Sequence, residues 1–160
     1  MAEILVAVTV VALAFIPIMT TLSSANRGTV DVENEALAVG LATEGIEWVR
    51  AIGFRDWVAA LGDGCKNLRL PGEVRTDAGS SITIKEEKVT SFKADDGTTE
   101  IDYPESSNRF SREIVMSFVK DSSGEFRALR AVATVRWKHN VSGSPGRRVQ
   151  METLVYSGLP

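Results

Sequence analysis

Side chains that could do chemistry are scattered along this sequence, and few are spaced to act together. His139 is the only histidine, so a Ser-His-Asp relay or a histidine-based metal cluster has no second imidazole to draw on. It sits beside the loop that ends at Gly146 and reads as a surface residue. Cys65 is also single; it cannot form an intramolecular disulfide and reads as a small, partly buried apolar residue. The turn Asp95-Asp-Gly-Thr-Thr-Glu-Ile-Asp102 gathers carboxylates, the ligand type calcium takes, but without the regular spacing of a calcium loop, so it reads as a solvated turn. Asn140-Val141-Ser142 has the form of a glycosylation sequon, a match common by chance. Arg147 and Arg148 form a short basic pair at a strand start and read as facing solvent. There is no Gly-rich phosphate loop and no Cys-rich metal motif. No catalytic residue, metal site or cofactor is expected, and the chain does not read as an enzyme.

Glu3 is the exception, because it opens a long apolar run. From Ile4 to Leu22 there is no charged residue. A carboxylate at the edge of such a run is costly to bury unless it finds a partner. Two readings are open from position alone: a residue solvated at headgroup level, or one half of an ion pair made when the run packs against something else.

The run itself, as a helix, spans roughly 28 Å, close to the hydrocarbon thickness of a bilayer. It is long for the apolar region of a signal peptide, no basic residue precedes it, and no small-residue cleavage site leads into a plausible mature N-terminus. A chain of 160 residues builds about one core and has little room to surround such a helix on all sides. It is read as a membrane span. Arg27 stands alone after it, and Asp31, Glu33 and Glu35 come next; without a Lys/Arg excess at this flank, the rest of the chain is expected outside the cytoplasm. The overall charge of −3 supplies no basic surface for nucleic acid.

Helical spacing continues past Gly28. Leu37, Leu41, Trp48 and Ile52 form a stripe with Ala38, Ala42, Gly45 and Val49 beside it, while Glu35, Glu44, Glu47 and Arg50 lie elsewhere. Gly53 suits the helix end. One element is therefore expected from near Met1 to Ile52, apolar all round in its first half and on one face in its second, with weak points at Pro17 and Gly28. After Phe54 the spacing turns to alternation. Strands are expected over Ser81 to Lys93, Glu113 to Lys120, Ala128 to Lys138 and Val149 to Tyr156, joined by turns at Asp95-Asp-Gly97 and Asp121-Ser-Ser-Gly124. Short links make these an antiparallel meander. The fold class is α+β: a long N-terminal helix lying on a C-terminal sheet of about four strands, with residues 1–28 in the membrane and 29–160 as the globular domain.

Glu3-Ile4-Leu5-Val6-Ala7-Val8, taken as an acidic residue opening an apolar run with Met1 and Ala2 before it, resembles the start of the helix in type IV pilins and type II secretion pseudopilins. Leu41-Ala42-Thr43-Glu44-Gly45-Ile46-Glu47-Trp48-Val49-Arg50, followed by Gly53-Phe54, resembles the second half of that helix in minor pilins of the pilus-modification type. Val135-Arg136-Trp137 and Met151-Glu152-Thr153-Leu154-Val155 resemble their closing strands more weakly. The likeness covers about the first third of the chain; Pro17 lies nearer the glutamate than in major pilins. It implies an upstream leader ending in Gly-Phe-Thr, removed by a prepilin peptidase with methylation of the new N-terminus. It implies that Glu3 pairs with the N-terminal amine of a neighbouring subunit, and that the partners are other pilin or pseudopilin subunits in the inner membrane. Some members bind calcium in loops such as 95–102. The function expected is that of a structural subunit that joins or primes a type IV pilus at the cell surface. The alternatives are a periplasmic pseudopilin of a type II secretion system and, from another class, a membrane-tethered periplasmic binding or sensor domain that does not polymerise.

Overall fold

In a computed structural model the chain is described over residues 2–66, 68, 70–77, 80–93, 100–138 and 146–157, without the side chains of residues 5, 91–93, 100 and 101. Two compact units divide it, Met1–Ala36 and Leu37–Pro160. A single helix, α1 (Ala2–Ile52), contributes to both.

In the first unit α1 is helical throughout, including across Pro17 and Gly28. This differs from the weak points expected there. A proline inside a helix removes one N–H and leaves the carbonyl four residues earlier unbonded, yet the helix carries on beyond it. Three hydroxyls in the next turns bond back to the helix: Thr20 and Thr21 donate to the Pro17 carbonyl at 2.9 and 2.7 Å, and Ser24 to that of Thr21 at 2.9 Å. Local bonds of this kind let hydroxyls sit in an apolar medium without an unmet donor.

In the second unit the rest of α1 covers a five-stranded antiparallel sheet. Its strands are β1 (Glu73–Asp77), β2 (Ser81–Glu86), β5 (Phe110–Lys120), β6 (Phe126–Trp137) and β7 (Arg147–Tyr156), in that spatial order. A separate antiparallel pair, β3 (Ser91–Lys93) and β4 (Glu100–Asp102), and a 3-10 turn at Glu105–Arg109 fill the connection from β2 to β5. The meander and the helix-on-sheet packing are as the alternation implied. The sheet has five strands where about four were expected, the fifth being β1; the segment Ser81 to Lys93, expected as one strand, is β2 in this sheet and β3 in the separate pair. A second helix, α2 (Phe54–Asp63), stands where the spacing was read as changing to alternation.

The junction of the two helices explains that last difference. Gly53 takes φ 84°, a left-handed conformation that a residue with a side chain resists, and so turns the chain sharply after Ile52. The indole of Trp57 then donates to the Val49 carbonyl at 2.9 Å. Val49 lies in the last turn of α1, where carbonyls have no helical donor, so a side chain from α2 caps α1. Trp57 is fully buried and meets Trp48 edge-on, 5.7 Å between ring centres.

Burial alternates along β5, with Phe110, Arg112, Ile114, Met116 and Phe118 facing the helix. The register carries that face across the sheet: Ile82 and Ile84 lie opposite Met116 and Ile114, which lie opposite Ala131 and Ala133. Ala38, Leu41, Ala42, Ile46 and Val49 of α1 join them in one core. Gly45 lies close against β5, since a Cβ there would meet Ile114 Cδ1 at 3.0 Å. The opposite face of the sheet is laced by exposed pairs, Arg130 to Glu152 through two bonds at 2.6 and 2.8 Å and Arg136 to Glu113 at 2.8 Å. Such exposed pairs are screened by solvent and add little stability. The turn from β5 to β6 is ordered by Asp121, whose carboxylate accepts from the Ser123 hydroxyl, Arg127 and the Ser123 and Glu125 amides. The Ser123 bond first, then Arg127, hold its pKa well below the usual carboxylate range.

Candidate functional site

Glu3 lies exposed in the first turn of α1 and has no ion pair among the described residues. An acidic residue there is favoured by the positive end of the helix dipole, which accounts for the residue type without a partner. Beyond it the side chains of Ile4, Val8, Leu13, Phe15, Ile18 and Leu22 are 53–68% exposed. The most apolar stretch of α1 has a mean hydropathy of 2.5 and none of it is buried; the helix is long and apolar enough to cross a membrane. Covering each large side chain contributes on the order of 1–2 kcal/mol. Summed from Ile4 to Leu22 this reaches on the order of 10 kcal/mol, comparable to the whole net stability of a small domain.

The second unit holds a buried polar cluster where α1 crosses the sheet. Arg112, on the inner face of β5, is 2% exposed and donates to Glu86 of β2 at 2.5 Å. It also donates to the Leu41 carbonyl in α1 at 3.2 Å, and lies 3.4 Å from the Glu44 carboxylate. Tyr103, beyond β4, donates its hydroxyl to the same carboxylate. Burial, and then the Glu44 charge, push the Tyr103 hydroxyl far above the usual phenol range, so it stays a donor. Burial acts to lower the Arg112 pKa, but Glu86, with Glu44 and Tyr103, more than offsets it and the guanidinium is held charged. Four chain segments thus converge on one cation. Chemically the cluster has neither a nucleophile nor a free base; it fixes where α1 sits on the sheet.

None of these four residues was singled out from the sequence. A signal was there: Glu86 and Arg112 occupy the inward phase of the strands Ile82-Ile84-Glu86 and Phe110-Arg112-Ile114, where apolar residues belong. Charges of opposite sign at inward positions on adjacent strands are candidates for a buried pair.

The other candidates are dispersed. Cys65 is buried just past α2 with its thiol pKa raised by burial, as an inert packing residue would be. Arg147 and Arg148 are exposed at the start of β7. His139, the Asn140-Val141-Ser142 sequon and positions 95–99 of the carboxylate turn lie outside the described residues. Among the described residues, no group of three or more His, Cys, Asp or Glu is placed to hold a metal ion. Comparison with protein-family models, curated proteins and solved structures finds no match.

Proposed function

We propose that the protein is a minor-pilin-like structural subunit, held in the inner membrane by the first half of α1 and carried from there into a filament. The observation that carries this reading is the division of labour along one helix: its first half is apolar and uncovered on every side, and its second half is built into the sheet domain. A plain tether needs about 20 apolar residues and no more. Here one helix, Ala2–Ile52, supplies both the apolar segment and the part that covers the core.

In this reading lipid is exchanged for neighbouring helices of like surface when the subunit leaves the bilayer, and Glu3 meets a neighbour's N-terminal amine in the low-dielectric core that results. The pairing fixes axial stagger because an unpaired carboxylate there is costly. The domain is placed outside the cytoplasm, at the surface of the filament or at its tip.

The test is fractionation of producing cells. Surface fibres are sheared off and probed, with the membranes, using an antibody to the second unit. The reading expects the protein in both fractions. Protein confined to membranes, in cells whose fibres are intact, would contradict it and favour a tethered binding domain. A periplasmic assembly whose loss stops secretion of exoproteins would identify a pseudopilin instead.

A further inference from the structure

We draw no further inference here: the strongest candidate, the apolar patch of Val119, Leu154 and Tyr156 exposed on the face of the sheet turned away from α1, at the β7 edge, is an unpartnered surface, and nothing in the structure shows what covers it.

Discussion

Arg112 is the residue on which the packing of α1 most depends. Its removal leaves Glu86, itself 7% exposed, buried beside Ile84 and Ile114 without a counter-charge. Arg112→Leu is therefore predicted to destabilise the domain by about 3–5 kcal/mol, the usual cost of orphaning one partner of a buried pair. The double variant Arg112→Leu with Glu86→Leu is predicted to recover most of the loss, because no charge is left stranded. Urea unfolding of both settles the point, and equal losses in the two would mean that Arg112 acts through packing alone. The pair was legible in the sequence only as an anomaly, two charges in the apolar phase of their strands. That they meet each other, and Leu41 and Glu44 as well, depends on the β2–β5 register and on the placing of the helix, which no local pattern encodes. Glu3 shows the opposite limit. Its type and its place before an apolar run are plain in the sequence, while no ion-pair partner for it stands among the described residues.

At the scale of elements, the long periodic ones were readable and the short ones were not. The stripe from Leu37 to Ile52 and the alternation in β5, β6 and β7 each repeat often enough to declare their period. The ten residues of α2 carry Phe54, Trp57, Val58, Ala60 and Leu61 at helical spacing, but over fewer than three turns, too short a run to declare its period. The edge strand β1 is almost wholly exposed, with Val74 its only apolar residue, so it carries no alternation. Two glycines of α1 give a matched test of its contact with the sheet. Gly40 has nothing within 4 Å of where a Cβ would stand. Gly40→Ala is predicted to raise stability by up to about 1 kcal/mol through helix propensity. Gly45→Val is predicted to cost roughly 1–3 kcal/mol by forcing Ile114 away. Thermal melts that rank the two the other way would mean that α1 does not approach β5 at Gly45. A fragment beginning at Thr29 keeps Ala38, Leu41, Ala42, Ile46 and Val49. It is predicted to be soluble and folded, by circular dichroism and gel filtration. An unfolded or aggregated fragment would contradict the helix-on-sheet core.

For the whole molecule, α1 joins an uncovered apolar segment, long enough to cross a membrane, to a domain with a core of its own. Both halves are written in one sequence pattern, apolar all round and then apolar on one face, which is why the α+β class and the candidate span were legible without a structure. Sidedness is a separate prediction: a reporter active only outside the cytoplasm, fused after Pro160, is expected to be active, and activity of a cytoplasmic reporter at the same place would reverse the topology. The assembly reading meets its most direct test at Glu3. Glu3→Ala leaves the run from Ile4 to Leu22 intact, so membrane insertion is expected to be unchanged. Entry into filaments, where the carboxylate would be paired in a low-dielectric core, is expected to fall roughly tenfold or more. The measurement is the ratio of protein in sheared fibres to protein in membranes, for wild type and Glu3→Ala in the same host. A mutant that accumulates normally in membranes but is depleted from fibres is the predicted result; a mutant that enters fibres as well as the wild type would contradict the role given to Glu3.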